Sequence, residues 1–337
     1  MIAFIGLGLI GSIVGYNYYA KIYSSNVSDD FTLYIASDSD FETVLDSLSK
    51  NLNDVNSFKW VAEKKNYPNK IKSGKYDISK GLNNNELVNI LRSGQQTPVF
   101  VIFNNQDRLE KLAGRISKQI EADSISLLRA FSDPVFLSKN NITKENALSI
   151  YIPNKYEFYW NTSAEAFRKR MFNEFNKFWS EEKIKQAKEQ GLNKFEVITL
   201  ASIVQKETAN PSERPIVAGL YLNRIHKGWA LQADPTIIFV IKEKYGQDRV
   251  IKRVLYKDLE IDSKYNTYKY KGLPPGPIAM PDISSIKAIL RPSKHDYFYM
   301  CADIETLNNH VFAKTKREHD KNAQKYRQWL DKQGVNR

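Results

Sequence analysis

The chain has 337 residues, 42% of them hydrophobic and 26% charged, which is typical of a folded protein with a sizeable core. Lys and Arg number 50 against 38 Asp and Glu, and the resulting net charge of +12 favours polyanionic partners: nucleic acid, anionic lipid or an acidic wall polymer. The single cysteine excludes an internal disulfide, and no two of the four histidines have the i, i+4 spacing of a helical metal site. We therefore expect neither a metal nor a cofactor.

The first twenty residues contain no charged side chain, and the first charge in the chain is Lys21. A helix of that length is about 30 Å long, which matches the hydrocarbon core of a bilayer. Tyr16, Tyr18 and Tyr19 would lie in an interfacial aromatic belt at its end. The sequence therefore predicts a transmembrane helix over residues 1–20 and a linker over residues 21–30.

The same segment supports a second hypothesis, because Gly6, Gly8 and Gly11 match the pattern G-x-G-x-x-G. An apolar run precedes them, and Asp38 follows a possible second strand at residues 31–36, as in an NAD-binding dehydrogenase. The downstream chain does not alternate strands and helices, and glycine is common in membrane helices. The membrane-spanning interpretation is therefore favoured.

A small α+β module is predicted over the next part of the chain. Residues 31–35 alternate as a strand does, and residues 75–78 form a second short strand. Helical spacing over residues 40–48 and 85–91 predicts two helices. Such a unit is ordinarily only a compact folding unit, and glycan binding is its functional alternative.

Further elements follow in chain order. A β-rich run covers residues 99–103, and helical patterns cover residues 109–131 and 164–190. The last is a long, highly charged amphipathic stretch whose aromatic stripe indicates core packing. A basic helix is predicted over residues 314–333, with a solvated charged face.

The first candidate for chemistry is a glutamate at the end of a predicted helix. Asn193 and Glu196 have the spacing of a capping box, which predicts that a helix begins there. Glu207 lies four residues after Ile203 and three after Val204, so it continues the apolar face. Burial disfavours the charged form of a carboxyl group and raises its pKa, as a general acid at neutral pH requires. The alternative is a helix-end glutamate that points to solvent.

A second helix is predicted directly after this one. Residues 210–211, Asn-Pro, change the chain direction, Ser212 can cap the new helix, and Gly228 ends it. Glu213 in its first turn is explained by the helix dipole. Its closeness to Glu207 across a tight turn also makes it a candidate site residue.

Two loop segments complete the informative region. Residues 231–236 form an extended polar segment that leads into a β-like run at residues 237–241. Residues 265–268, Tyr-Asn-Thr-Tyr, precede a rigid loop at residues 272–278. Tyrosines beside amide and hydroxyl groups suit a sugar, since they offer an apolar ring face and directional hydrogen bonds.

These segments, in this order, resemble the YceG-like endolytic murein transglycosylases of bacteria. The resemblance rests on residues 200–208 (LASIVQKET), 212–214 (SER), 223–224 (NR), 231–236 (LQADPT), 265–268 (YNTY), 272–278 (GLPPGPI), Pro281 and 310–312 (HVF). It implies an α+β fold with a single-pass inner-membrane anchor, a LysM-like module at residues 31–97 and a YceG-like catalytic domain at residues 98–335. The catalytic domain would face the periplasm or the cell exterior.

The resemblance also implies which residue is catalytic. The family's glutamate lies in a motif usually written ASIVEKET, and Gln205 replaces the first acid here. Glu207 is the only glutamate left in the motif, so the role is carried to Glu207. In a second family segment Asn154 replaces the usual acid, which leaves that position, and the nearby Glu157, without an assigned role.

The activity implied is cleavage of the bond between N-acetylmuramic acid and N-acetylglucosamine in nascent strands, leaving a 1,6-anhydro end. Glu207 would act as acid and then as base. Candidates for binding the sugar are Glu213, Gln232, Asp234, Thr236, Tyr265, Asn266, Thr267 and Tyr268. The implied partners are peptidoglycan strands, the membrane and penicillin-binding proteins, with no nucleic acid. The alternative is a catalytically silent, membrane-anchored scaffold that binds glycan.

Overall fold

The computed structural model describes residues 2–251, 253–306 and 309–333. Within these residues the chain forms fourteen α-helices and six β-strands, which pair into three two-stranded sheets. The mixed α+β part of the predicted fold class is therefore confirmed. The contacts divide the chain into two compact units. The N-terminal unit runs to residue 102 and includes residues 115–123 and 155–164, and the C-terminal unit contains residues 103–114, 124–154 and those from 165 onward.

The first helix, α1 (Ile2–Tyr23), corrects the prediction of a membrane anchor. Among the residues that the structure describes, no helix combines the length and the apolarity needed to cross a bilayer. The apolar sequence is interrupted by Gly11, Ser12, Gly15 and Asn17. The prediction considered only the absence of charged residues and gave no weight to these four. The predicted transmembrane helix at residues 1–20, and the single-pass inner-membrane localisation that depended on it, are wrong.

The last turns of α1 pack on the small module. The rings of Tyr18 and Trp60 lie 5.5 Å apart, and the Lys21 ammonium lies 5.7 Å from the centre of the Trp60 ring. The Asn84 amide donates a hydrogen bond of 2.8 Å to the Lys21 carbonyl. This end of α1 is thus a structural part of the N-terminal unit.

The glycine pattern of the dehydrogenase hypothesis lies inside this helix. Gly6, Gly8 and Gly11 belong to the continuous α1, with no strand and turn before them in the described chain. A phosphate-binding fingerprint needs a strand, a tight turn and the free N–H groups of a helix start. The interior of a helix offers none of these, so the dehydrogenase hypothesis loses its structural basis.

A two-stranded antiparallel sheet organises the N-terminal unit. Its strands are β1 (Phe31–Ile35) and β2 (Gly74–Ile78), paired so that Phe31 lies opposite Ile78. The helices α2 (Phe41–Ser49) and α3 (Val55–Lys64) lie between them in the chain, and α4 (Asn84–Ser93) follows. Both predicted strands and both predicted helices are present. The LysM-like assignment and the boundaries at residues 31–97 and 98–335 stay predictions.

The rest of the chain contributes four strands and ten helices. The strands are β3 (Val99–Phe103), which pairs with β4 (Asn154–Phe158), and β5 (Tyr299–Ala302), which pairs with β6 (His310–Ala313). The helices are α5 (Leu109–Ile116), α6 (Ser124–Phe131), α7 (Pro134–Lys139), α8 (Ala164–Phe178), α9 (Glu181–Glu189), α10 (Lys194–Glu207), α11 (Arg214–His226), α12 (Asp234–Tyr245), α13 (Ile283–Leu290) and α14 (Lys316–Lys332). Short 3-10 turns lie at Ala147–Ile150 and Tyr256–Glu260.

Helix α10 forms the centre of the C-terminal unit. Every residue from Val197 to Val204 is buried, and α11, α12 and α13 all pack against it. Its start is the predicted capping box: the Asn193 side chain accepts from the N–H groups of Phe195 and Glu196, and Glu196 accepts from the Asn193 N–H. A helix buried on all sides holds its last residue in a fixed place.

The β-like run predicted at residues 237–241 is wrong, because these residues form part of α12. Ile237, Val240 and Ile241 are buried, at the i, i+3, i+4 spacing of a helix face. Pro235 fits the first turn, where no N–H is needed. A short run of apolar β-branched residues does not distinguish a strand from a buried helix.

Candidate active site

Glu207 is the last residue of α10, and its carboxylate is held by α11. The Tyr221 hydroxyl donates a hydrogen bond of 2.6 Å to Glu207 Oε1. Tyr221 is only 1% exposed, so its ring is fixed by the surrounding core. Glu207 itself keeps partial access to solvent. The carboxyl group is therefore both firmly placed and reachable.

Burial raises the pKa of Glu207 from 4.5 to about 7. The hydrogen bond from Tyr221 opposes this rise, the negative charge of Asp234 adds to it, and positive charges on His310 and Arg224 oppose it. Desolvation is the largest of these influences, because the contacts that Glu207 makes do not replace the hydration that its carboxylate has lost. A pKa near neutral allows the group both to give up and to take up a proton readily, which suits a residue that acts as acid and then as base.

Arg224 links α11 to the segment before α12. Its guanidinium donates to the Phe298 carbonyl at 2.8 Å and to the Leu231 carbonyl, and it lies 5.9 Å from the centre of the Tyr221 ring. The residue is buried. Arg224 thus holds the backbone around Glu207 while contributing a positive charge to its surroundings.

The predicted site residue Glu213 binds a histidine. Glu213 is 5% exposed and accepts a hydrogen bond of 2.5 Å from the His310 backbone N–H. The Nδ1 atom of His310 lies 2.9 Å from the other carboxylate oxygen. Both oxygens of Glu213 are therefore engaged in placing His310, whose charge acts on Glu207.

Asp234 and Tyr268, both predicted as sugar-binding residues, form a pair beside Glu207. The Tyr268 hydroxyl donates a hydrogen bond of 2.5 Å to Asp234 Oδ1. Burial raises the pKa of Tyr268 far above its usual range, and the charges of Asp234 and Glu207 raise it further. Asp234 is exposed. Its carboxylate is thus accessible to a ligand.

Three other predicted residues are buried: Thr236 in the first turn of α12, and Asn266 and Thr267 in the loop at residues 265–268. The hydroxyl groups of Thr236 and Thr267 form a hydrogen bond of 2.8 Å. The Thr267 hydroxyl oxygen also accepts a hydrogen bond of 3.0 Å from the Ala233 N–H. The Asn266 amide donates to two carbonyls of its own loop, at 2.8 Å each. These polar groups are engaged within the protein, where they hold residues 231–236 against residues 265–268.

The two remaining predicted residues lie at the edges of this arrangement. Gln232 is exposed, and its φ of +49° is in the left-handed region that non-glycine residues seldom adopt. Tyr265 packs its ring 4.7 Å from that of Phe239 and lines a separate cavity of about 500 Å³. Burial raises the pKa of Tyr265 to about 12.

Gln205, which replaces the first acid of the motif, faces another helix. Its side-chain oxygen accepts from the Asp282 N–H and from the Ser285 hydroxyl at 3.1 Å. It therefore joins α10 to the start of α13. A neutral amide can fill this position because an acceptor, not a charge, is what the helix start needs.

Sequence reasoning missed three residues of this site. Tyr221 was counted with the apolar face of its helix, because a buried tyrosine gives no signal that separates packing from hydrogen bonding. Arg224 and His310 lie in segments of the family resemblance, which could have identified them. The described residues contain no group of three or more His, Cys, Asp or Glu side chains that could hold a metal ion.

Comparison with known proteins identifies the family. The model of the YceG-like family matches residues 33–325. The chain belongs to the YceG-like family. A relative from Bacillus subtilis (strain 168), named endolytic murein transglycosylase, is 32% identical over 270 residues, covering 75% of this chain and 72% of the relative. A relative of the same name from Streptococcus pneumoniae serotype 2 is 26% identical and covers 79% of this chain.

The YceG-like chain spans about half, 52%, of the length of that pneumococcal relative. Among solved structures, the crystal structure of a putative YceG-like protein from Listeria monocytogenes is similar, with a TM-score of 0.57 and 27% identity. The match covers 87% of this chain and 98% of that protein. The likeness therefore extends over both compact units.

Proposed function

We propose that this YceG-like chain is an endolytic murein transglycosylase and that Glu207 is its catalytic residue. The observation that carries the proposal is the Glu207 carboxyl group, which is desolvated, reachable and has a pKa of about 7. The names of the relatives from Bacillus and Streptococcus support the reaction class and the murein substrate.

The reaction proceeds in two proton transfers. Protonated Glu207 donates its proton to the glycosidic oxygen between N-acetylmuramic acid and N-acetylglucosamine, and the bond from that oxygen to C1 of the muramic acid breaks. The substrate's acetamido group stabilises the positive charge that develops at C1. The Glu207 carboxylate then takes the proton of the C6 hydroxyl, whose oxygen bonds to C1. The 1,6-anhydro product forms without water, and Glu207 is protonated again.

The neighbours of Glu207 suit both halves of this cycle. Once the proton has left, the Tyr221 hydroxyl and the positive charges on Arg224 and His310 stabilise the carboxylate. Before it leaves, burial and the charge of Asp234 favour the protonated form. Because these opposing influences leave the pKa of Glu207 near neutral, neither the loss nor the uptake of its proton has a large free-energy cost.

We assign direct sugar contacts to the accessible groups Gln232, Asp234 and Tyr268. The buried residues Thr236, Asn266 and Thr267 hold the start of α12 and the segment at residues 265–268 in place, and Glu213 places His310. Tyr265 lines the separate cavity and would contact a more distant part of the strand. The implied partnership with penicillin-binding proteins stays a prediction.

Asp234 favours a second candidate function, hydrolysis. Most glycosidases that add water use two carboxylates, and the Asp234 charge acts on Glu207. The Tyr268 hydroxyl already occupies Asp234 Oδ1 at 2.5 Å, so this oxygen is engaged within the protein rather than free to activate a water molecule. We therefore place hydrolysis second.

The proposal is tested with the full chain, uncrosslinked peptidoglycan strands and the Glu207→Gln variant. General acid–base catalysis contributes roughly 10²- to 10⁴-fold, so we expect a loss of cleavage of about that size with binding retained. Glu189→Gln is the matched control, since Glu189 also ends a helix, α9, but is exposed. Near-normal cleavage by Glu207→Gln would overturn the assignment. Binding without cleavage by the unmodified protein would favour the glycan-binding scaffold.

A further inference from the structure

A small cavity of about 120 Å³ lies beside α12, and the charged residues in its otherwise largely apolar lining are mainly cationic. Three cations, Arg108, Lys206 and Lys242, and one carboxylate, Asp107, line the part of its wall that the structure describes. Such a surplus of positive charge attracts an anion.

Asp107 neutralises only part of this charge. Burial raises its pKa, but the ammonium groups of Lys206 and Lys111 outweigh burial and lower it, so Asp107 stays ionised. Its oxygens lie 3.3 Å from Lys206 Nζ and 3.5 Å from Lys111 Nζ. Asp107 therefore does not neutralise the positive charges of Arg108 and Lys242.

Arg108 also has an unused donor. Its Nε atom is buried, and no described residue accepts a hydrogen bond from it. Buried donors without an acceptor are uncommon in proteins, because the donor has lost its hydrogen bonds to water and gained none in return. A carboxylate bound in the cavity would supply the acceptor, and guanidinium groups bind carboxylates well.

The other walls of the cavity limit what can enter. Phe239 and Ile278 contribute apolar surface. A volume of about 120 Å³ is smaller than the pockets of drug-sized ligands, which begin at about 300 Å³. Cationic groups around a small apolar space suit a carboxylate on a short aliphatic group rather than a whole sugar ring.

The cavity adjoins the site of cleavage. Lys206 directly precedes Glu207, and Pro235 directly follows Asp234, so two lining residues are sequence neighbours of the site. Consecutive Cα atoms are about 3.8 Å apart. The cavity wall thus begins one residue away from Glu207 and one residue away from Asp234, and this closeness along the backbone is the basis for placing a substituent of the bound sugar there.

We propose that this cavity binds a carboxylate carried on the muramic acid side chain of the strand. The inference rests on the proposed function, which places muramic acid C1 at Glu207. Muramic acid bears a lactyl group on the same ring, and in murein that group carries a short peptide with free carboxylates. The ligand is therefore a carboxylate of this peptide or, in stripped strands, the lactyl carboxylate itself.

Binding of strands to the full chain tests the inference, with Glu207→Gln introduced throughout so that no strand is cleaved. The probes are peptide-bearing strands, the same strands with their carboxyl groups converted to primary amides, and strands stripped of peptide. We expect amidation to weaken binding about tenfold, as the loss of one charge-assisted hydrogen bond predicts. Lys242→Gln should remove most of this difference.

Lys188→Gln is the matched control, because it removes the same charge from an exposed helix position that lies outside the linings of this cavity and of the cavity of about 500 Å³. It should keep the full effect of amidation. Arg108→Gln should behave as Lys242→Gln does. If stripped strands bind tightly and depend on Lys242, the ligand is the lactyl carboxylate; if they bind as weakly as amidated strands, it is the peptide.

Equal binding of free and amidated strands, or an amidation effect that Lys242→Gln leaves intact, would overturn the inference. A different result, the absence of cleavage by the unmodified protein, would contradict the proposed function. Because binding and cleavage are measured separately, the two failures are distinguishable.

Discussion

The proposed catalytic role of Glu207 has a cost in stability. Its pKa of about 7 in the folded chain lies above the ordinary 4.5, so the folded state binds the proton more tightly than the unfolded state does. Stability from this group is therefore fully present below about pH 4.5 and is lost as the pH rises to about 7.

Glu207→Gln should accordingly stabilise the protein at alkaline pH. At pH 8 we expect its free energy of unfolding to exceed that of the unmodified protein by roughly 3 kcal/mol, since folding raises the pKa of Glu207 from 4.5 to about 7 and each pKa unit corresponds to about 1.4 kcal/mol. Near pH 4.5 the difference should disappear. Urea denaturation at several pH values checks this, and a constant difference across the range would contradict it.

The pH dependence of cleavage reports the same group. Activity should fall as the pH rises through about 7, because the acid form of Glu207 is then lost. Tyr221→Phe removes a hydrogen bond that lowers the pKa of Glu207, so the fall should move to higher pH. Asp234→Asn removes a charge that raises the pKa, so the fall should move to lower pH.

Profiles of kcat/KM against pH for the unmodified protein, Tyr221→Phe and Asp234→Asn measure these shifts. Shifts of the two variants in the same direction would contradict the account of how Glu207 is tuned. A reduced maximum rate in Asp234→Asn would not, because Asp234 is also proposed to contact the sugar.

At the scale of single residues, the sequence predicted that Glu207 is desolvated but not which side chains contact it. Its position after Ile203 and Val204 predicted a raised pKa, because helix geometry is regular enough to extrapolate by three or four residues. The contacts from Tyr221 and His310 depend on how separate elements pack. Local spacing carries no information about such contacts.

At the scale of elements, α11 carries Tyr221 and Arg224 and must lie close to the segment around residue 293. Gly219 permits this approach: a Cβ atom there would overlap the Ser293 carbonyl oxygen and crowd the His295 ring. Asn223 donates to the His295 carbonyl at 2.8 Å, which ties the same helix to the same segment.

Gly219→Ala should therefore destabilise the C-terminal unit by about 1–3 kcal/mol, the usual cost of overpacking. Gly114→Ala is the control, because a Cβ atom at this helical position meets nothing within 4 Å. It should stabilise the chain by about 0.5–1 kcal/mol, as replacing a helical glycine does. Thermal unfolding compares the two, and equal effects would contradict the role of Gly219.

Element prediction failed where tertiary packing decided the outcome. Residues 109–131 and 164–190 have continuous helical patterns, yet each divides into two helices. In the second, Ser180 accepts from the Lys183 N–H and begins α9. A serine inside an amphipathic pattern is compatible with either a continuous helix or a cap, so the sequence alone does not decide.

At the scale of the whole molecule, the charge of +12 should influence binding of anionic wall strands. Salt screens exposed charges, with a Debye length of about 10 Å at 0.1 M and about 3 Å at 1 M. Binding of Glu207→Gln to peptide-bearing strands should therefore weaken as salt increases. Binding that is independent of salt would contradict an electrostatic contribution.

The mixed α+β character and the family followed from the sequence, whereas the membrane-spanning role of the N-terminal helix was predicted wrongly. Several motifs in fixed order are specific, and the family match over residues 33–325 agrees with them. The membrane anchor was inferred from one property, the absence of charge before Lys21. Glycine and polar uncharged residues make a segment less apolar without adding charge, which is why that inference failed.

The central claim is that this protein cleaves the strand without adding water. The most direct test is to follow whether oxygen from water enters the product. The full chain is incubated with peptidoglycan strands in water labelled with heavy oxygen, and the new strand ends are analysed by mass spectrometry. We predict 1,6-anhydro ends without label, absent when Glu207→Gln replaces the unmodified protein. Labelled reducing ends would contradict the claim and establish hydrolysis in its place.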